Sequence, residues 1–304
     1  MSRVRPRWWA ELLLLVVVYA AYAGARLLAR GDVGTAVENG TAILRWERTF
    51  SLNAVEPLNR LFTEYPLLGI PCAFFYAALH YLVTPAVLVW LFRRRPFHYR
   101  LMRTWLMLST LLGLVGFTLL PTSPPRLLAD RHGFVDSLAQ YSAYGWWSDS
   151  ASAPSGLGDL TNQYAAMPSL HVGWAVWCGA VLWLLAPRAT LLRALAVGYP
   201  LLTVIVVLGT ANHYLLDAVA GVAVMAAGLL LARPAMRLAD RARDALAGAA
   251  AGAGRPDPWA GSRPTEVAAA GPGRGPAVPA VAASGPREER GPGPARHNGP
   301  LERR

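Results

Sequence analysis

Long apolar stretches alternate with shorter polar segments along the chain. Six of these stretches are close to the length of about 17–25 residues that crosses a hydrocarbon core of roughly 30 Å as an α-helix. They cover residues 8–28, 67–92, 102–120, 170–185, 191–208 and 215–231. The pattern predicts an all-α integral membrane protein built on a bundle of six transmembrane helices.

Two of the polar segments between these stretches are long. Residues 32–63 are too polar to span a membrane, but their apolar side chains recur at near-helical spacing, which predicts one or two amphipathic helices on the outer surface. Residues 121–168 are rich in Pro, Gly, Ser and aromatic side chains. Connecting segments of that length are usually functional or disordered.

The C-terminal part of the chain has a different composition. Residues 251–304 contain ten Pro and ten Gly but a single aromatic residue, Trp259. Such a segment buries too little apolar surface to offset its ordering entropy. We therefore predict an N-terminal anchor over 1–32, a membrane domain over 33–232 and a cytoplasmic, largely disordered tail over 233–304.

Composition excludes an ordinary soluble protein, because 54% of the 304 residues are hydrophobic and only 15% are charged. All 29 basic residues are Arg, and the net charge is +11. The connecting segments on one side of the predicted spans carry 14 Arg and those on the other side carry six. Positive residues stay on the cytoplasmic side, so both termini are predicted to be cytoplasmic, and the charge reflects topology rather than nucleic-acid binding. Cys72 and Cys178 lie in apolar stretches, where thiols act as small hydrophobic groups.

The first candidate motif is Pro-Thr-Ser-Pro-Pro-Arg at 121–126, where the third predicted span ends. Prolines restrict the backbone, and the guanidinium of Arg126 is a planar fork suited to a phosphate. The alternative is that prolines simply end the span and that Arg126 extends to the interface.

The second motif is Ala-Met-Pro-Ser-Leu-His at 166–171, where the fourth predicted span begins. With Pro168 in the first helical turn, the free N–H groups around Ser169, Leu170 and His171 would form an anion site at the positive helix end. In the alternative interpretation, Ser169 is an ordinary helix cap and His171 is an interfacial histidine.

The third motif, His213-Tyr214-x-x-Asp217, opens the sixth predicted span. His213 and Asp217 are four residues apart and share a helix face, so the carboxylate can hold one ring nitrogen and leave the other as a nucleophile. An acidic side chain within a span is costly, which favours a functional role for Asp217. Asn212 is predicted to cap the helix rather than to contact a substrate.

All three motifs are predicted to meet the same, extracytoplasmic interface, because the chain crosses inward and then outward between His171 and His213 and Arg126 ends an outward crossing. Two imidazoles, a carboxylate, an Arg and a helix N-terminus suffice for phosphoryl transfer through a phosphohistidine, with no metal or organic cofactor. Two alternatives are a metal site formed by His171, His213 and Asp217, and a non-catalytic lipid-binding scaffold.

These residues resemble the type 2 phosphatidic acid phosphatase superfamily, a six-helix membrane fold, and within it the inositol phosphorylceramide synthase branch, over about residues 33–232. The motifs of that branch look like P-T-x-P-P, M-P-S-L-H and H-Y-x-x-D. The resemblance implies a lipid phosphatase or inositolphosphotransferase of a bacterial plasma membrane. By the same resemblance, His213 would attack phosphorus, Asp217 would orient His213, and His171 would protonate the leaving oxygen and then activate water or an alcohol such as inositol.

The chain departs from the wider superfamily at several positions. That superfamily has a Lys in its first motif, Pro-Ser-Gly-His as its second and a Ser-Arg pair before the nucleophile, whereas this chain has no Lys, has Leu170 in place of the glycine and has Val206-Val207 in place of Ser-Arg. Arg126 is therefore expected to be the single cation on the phosphate. These departures favour the synthase-like branch.

Other polar residues are secondary candidates for the pocket. Tyr76 and His80 share one face of the second span, where they could line the pocket or bond to each other in the helix core, and Tyr214 belongs to the third motif. His132 and Asp136, in the outer segment, could contact an acceptor headgroup or be solvated.

Overall fold

The computed structural model describes residues 7–28, 32–147 and 162–253. Residues 1–6, 29–31, 148–161 and 254–304 lie outside these described residues, so the prediction of a disordered tail is described only up to residue 253. Met1–Gly252 constitute one compact unit, and Ala253–Arg304 constitute a second, of which only Ala253 is described.

The described residues form nine α-helices and no strand, in agreement with the all-α prediction. In chain order they are α1 (Trp8–Leu28), α2 (Val33–Thr49), α3 (Val55–Glu64), α4 (Pro66–Arg94), α5 (Pro96–Leu119), α6 (Ser137–Gln140), α7 (Leu170–Leu185), α8 (Thr190–Gly209) and α9 (Leu215–Ala253).

Four of these helices, α4, α5, α8 and α9, are long and apolar enough to cross a membrane. The helix α7 has 16 residues and is about 24 Å long at 1.5 Å per residue, which is shorter than a typical hydrocarbon core. The other shorter apolar helical stretch is Trp8–Val18 of α1. The protein is thus a helical membrane protein, and the count of six spans stays a prediction.

Helix α9 extends well beyond the predicted end of the sixth span at residue 231. It continues to Ala253 and includes Pro234, so residues 233–253, assigned to the tail from the sequence, are helical. This stretch is rich in Ala, Arg and Leu, which have high helix propensity. A bidentate ion pair between Arg100 and Asp240, with a shortest N–O distance of 2.6 Å, also ties the extension to α5.

The helical core is formed mainly by α4, α5, α7 and α9. Trp105 of α5 and Trp177 of α7 are buried, and their indole N–H groups donate to the backbone carbonyls of Met225 and Met102 at 2.7 and 3.0 Å. Helix α1 is joined to α5 by an ion pair between Glu11 and Arg103. Buried indole rings with satisfied N–H groups therefore fix the spacing of the helices below the polar end of the bundle.

Helices α7 and α9 approach each other closely at Gly221. A Cβ atom at this position would lie 2.2 Å from the backbone oxygen of Ser169, the residue that caps α7. Glycine is required here because any side chain would push the amino end of α7 away from α9.

Replacing Gly221 with alanine is expected to destabilise the protein by about 1–3 kcal/mol and to lower activity, because the backbone must shift to remove the clash. Thermal unfolding in detergent and turnover of a lipid phosphate would measure both effects. Gly198→Ala is the matched control, since α8 leaves open space within 4 Å of that position. Equal stability of the two variants would contradict the prediction.

Candidate active site

The structure brings His171 and His213 together although they are 42 residues apart in the chain. His171 lies in the first turn of α7, and His213 lies in the short connection between α8 and α9. Their ring centroids are 5.7 Å apart, with an angle of 60° between the ring planes. Two imidazoles are therefore available at one place.

The ring of His213 is held by a backbone group. Its Nδ1 atom lies 2.8 Å from the carbonyl oxygen of Ala166 and 3.4 Å from Oδ2 of Asp217. Because a carbonyl oxygen can only accept, Nδ1 carries the proton, and the lone pair is on Nε2. The side chain of His213 is 6% exposed, so the bond is protected from water.

Asp217 acts differently from the sequence prediction, in which it alone held the ring. Its Oδ2 atom accepts a hydrogen bond from the N–H of Tyr214 at 2.9 Å, which makes the carboxylate a cap for the start of α9. The same Oδ2 atom still lies 3.4 Å from Nδ1 of His213. Orientation of the ring is thus shared between Ala166 and Asp217.

Arg126 follows α5 in a 3₁₀ turn over Pro125–Leu127, and its side chain is only 4% exposed. Its guanidinium donates to Oδ1 of Asn212 at 2.9 Å, to Oδ2 of Asp136 at 2.7 Å and to Oε1 of Gln163 at 3.3 Å. The backbone N–H of Arg126 donates to the carbonyl of Ala211 at 3.0 Å. Arg126 is therefore fixed next to the residues that precede His213.

Asn212 and Asp136 serve this guanidinium. Asn212 was predicted to cap the following helix, but its side chain bonds Arg126 and the carbonyl of Thr210, while α9 begins three residues later. Asp136 bonds Arg126 through one oxygen and caps α6 through the other, so it is not merely solvated. In contrast, His132 is partly exposed, and burial together with the nearby charge of Arg131 lowers its pKa.

The second motif forms the amino end of α7. Ser169 is the N-cap and its hydroxyl accepts from the N–H of Val172 at 3.5 Å, while Pro168 precedes the cap and does not lie in the first turn as predicted. The N–H of Ser169 donates to the carbonyl of Asp217 at 2.9 Å and is not available for an anion. Leu170 and His171 are the first helical residues, whose N–H groups have no acceptor within the helix.

Tyr214 is a structural link rather than part of a pocket. Its side chain is fully buried against Ile43, Leu44 and Leu128, and its hydroxyl donates to the carbonyl of Ser123 at 3.0 Å. This bond joins the third motif to the first.

Tyr76 and His80 do lie beside the candidate site. The Tyr76 ring stacks on His171 at 4.6 Å between centroids, and the His80 ring meets the edge of His171 at 4.4 Å. All three line a small pocket between α4, α7 and α8. The other lining residues are Phe75, Tyr199, Thr203, Val206 and Val207.

The donor set does not match the metal alternative. Within the ranges that the structure describes, no group of three or more His, Cys, Asp or Glu side chains is arranged to hold a metal ion. Asp217 faces Nδ1 of His213, which is already bonded to the carbonyl of Ala166. Oδ2 of the carboxylate accepts the Tyr214 N–H, so the three predicted ligands do not converge on one point.

The fold is that of a helical membrane protein, and two imidazoles and a buried guanidinium lie at one end of its helices. A family model described as the PAP2 superfamily matches residues 41–231, well over half of the chain, and the protein therefore belongs to the PAP2 superfamily. Membership implies a phosphatase-type enzyme that acts on lipid phosphates in membranes. No curated protein and no solved structure matches the chain significantly.

Proposed function

We propose that the protein transfers a phosphoryl-containing group from a lipid-linked phosphate ester to water or to an alcohol such as inositol, through a phosphohistidine on His213. The observation that carries this proposal is the pairing of His213 Nδ1 with the carbonyl of Ala166, beside a second imidazole at 5.7 Å. That pairing leaves Nε2 with the lone pair that a nucleophile needs.

In the first half of the proposed reaction, Nε2 of His213 attacks phosphorus and the bond from phosphorus to the lipid oxygen breaks. His171 gives its proton to that leaving oxygen. In the second half, neutral His171 takes a proton from water or an alcohol, whose oxygen attacks phosphorus as the phosphorus–nitrogen bond breaks. The product leaves with the phosphoryl group, and both histidines return to their starting states.

Arg126 and the amino end of α7 would stabilise the charge on the phosphoryl oxygens. Because Asp136 already accepts from one nitrogen of Arg126, the phosphate would share the guanidinium with this carboxylate. A guanidinium has five N–H donors, and such sharing leaves it fixed while it binds the substrate.

We place this reaction at the extracytoplasmic face of a bacterial plasma membrane, on the argument that Arg is concentrated on the opposite side. The acceptor separates a phosphatase from a transferase, and the two reactions share the phosphohistidine. Leu170 and the Val206-Val207 pair replace residues of the wider superfamily's motifs, and all three are buried. These replacements support the synthase-like branch and hence transfer to an alcohol.

Trapping the phosphoenzyme tests the proposal. Purified protein incubated with a ³²P-labelled lipid phosphate and quenched in alkali should carry an acid-labile label on His213. With an aryl phosphate ester as substrate, His171→Ala should still form this label, because an activated leaving group can depart without a proton donor, whereas His213→Ala should carry none with either substrate. Unlabelled wild-type protein across a panel of lipid phosphates would contradict the proposal and favour the non-catalytic scaffold, and a comparison of product with and without inositol would identify the acceptor.

A further inference from the structure

The most unusual buried group outside the three motifs is Glu47, in the amphipathic helix α2. Its side chain is 1% exposed and lies on the buried face of α2, whereas Arg45 and Arg48 on the same helix are exposed. Oε1 of Glu47 accepts a hydrogen bond from the backbone N–H of Leu216 at 2.8 Å. Burying a carboxylate costs free energy unless the group is paired or hydrogen-bonded. The position of Glu47 at the start of α9 therefore suggests a specific role for this side chain.

Glu47 and Asp217 cap the same helix end. Asp217 accepts from the N–H of Tyr214, and Glu47 accepts from the N–H of Leu216, two residues further along. The second oxygen of each carboxyl group, Oε2 of Glu47 and Oδ1 of Asp217, is buried and has no hydrogen-bond partner among the described residues. Two buried carboxyl groups with one unsatisfied oxygen each are best accommodated when one of them carries a proton.

We propose that Glu47 is a positioning residue that fixes the amino end of α9 and forms with Asp217 a carboxyl pair holding a single proton. The proton resides on Glu47, so that the single negative charge of the pair stays on Asp217, beside His213. This inference rests on the proposed function, because Asp217 faces Nδ1 of His213, the proposed nucleophile.

The electrostatics of Glu47 agree with this assignment. Burial raises the pKa of Glu47 to about 7 from its ordinary value of 4.5; the Leu216 N–H opposes this rise, and the charge of Asp217 adds to it. Tyr214 is a further titratable group close enough to Glu47 to interact with it electrostatically. Arg48, on the same helix as Glu47, forms an ion pair with Glu56 at 3.6 Å. The charge of Arg48 also contributes to the lowered pKa of His132 in the outer segment.

The sign of the pH dependence follows from the raised pKa. Above about pH 7 Glu47 loses its proton, and two negative charges then lie together at the start of α9, which disturbs Asp217 and repels an anionic substrate. The favourable contribution of protonated Glu47 to folding is fully present below pH 4.5 and is lost as the pH rises through about 7. Activity and stability should therefore both fall on the alkaline side.

The test is the pH profile of kcat/KM for the full chain in detergent with a lipid phosphate as substrate. In wild-type protein both Glu47 and the acid His171 must be protonated, so the alkaline limb should approach a slope of about −2 in the logarithmic plot. Glu47→Gln keeps an acceptor for the Leu216 N–H and stays neutral at every pH. The slope of the alkaline limb for this variant should therefore approach about −1, and its midpoint of thermal unfolding should vary less with pH than that of wild-type protein. Glu47→Ala should lose about tenfold or more at all pH values because the acceptor is gone.

Glu38→Gln, an exposed change on the same helix, is the matched control and should keep the wild-type slope. A slope near −2 in Glu47→Gln, or a rate as low as that of Glu47→Ala at every pH, would overturn the inference. These results leave the proposed function standing if the label still forms on His213, whereas absence of that label in wild-type protein is the failure of the proposed function itself.

Discussion

Replacing His213 with alanine is expected to lower turnover of a lipid phosphate by about 10⁴-fold or more, because the proposed nucleophile is removed. His171→Ala should have a smaller effect, about 10²–10⁴-fold, since it removes only proton transfer. Initial rates with purified variants in detergent, over a range of substrate concentrations, would measure both.

The control for this comparison is a histidine that lies outside the candidate site and whose replacement should leave turnover unchanged. His98 is exposed at the start of α5, and His98→Ala should turn over substrate at the wild-type rate. Because His213 bonds the carbonyl of Ala166, thermal unfolding of each variant should accompany the rates. A folded His213→Ala protein with near wild-type turnover would disprove the nucleophile assignment.

Helix positions were largely predictable from the sequence because apolar periodicity and length are local properties. Both amphipathic helices, α2 and α3, lie within the segment identified by its spacing, and each apolar stretch corresponds to a helix. The end of α9 was not predictable from hydropathy, since the charged residues between Arg233 and Asp244 interrupt the apolar run, although the stretch is rich in Ala and has high helix propensity. The superfamily was recognised from three short motifs and is confirmed by the family match.

The candidate site was predictable in its residue types but not in its bonding. Proximity of Arg126, His171 and His213 follows from the order of the spans, because successive spans return the chain to alternate sides. The partner of His213 is the carbonyl of Ala166, and no side-chain pattern reveals a backbone acceptor. Glu47 resembled one more polar position of an amphipathic helix, and only its packing against α9 shows that it is buried.

The bonds of Arg126 illustrate the same limit, because its partners lie 10, 37 and 86 residues away in the chain. Asp136, Gln163 and Asn212 each accept from a different nitrogen of its guanidinium. This arrangement holds the guanidinium in one orientation, which is what the proposed phosphate site would need from a single Arg. The consequence is that Arg126 should tolerate no substitution, including lysine.

Arg126→Met is expected to lower kcat/KM by about 10²–10³-fold, the range for loss of one preorganised donor to a developing oxyanion. Arg126→Lys should recover little of this loss, because an ammonium group cannot bond all three acceptors at once. Arg131→Met, an exposed change five residues away, is the control and should keep wild-type kcat/KM. Inorganic phosphate should inhibit wild-type protein and the control but bind far more weakly to both Arg126 variants. Equal inhibition of all four proteins would show that the phosphate does not contact this guanidinium.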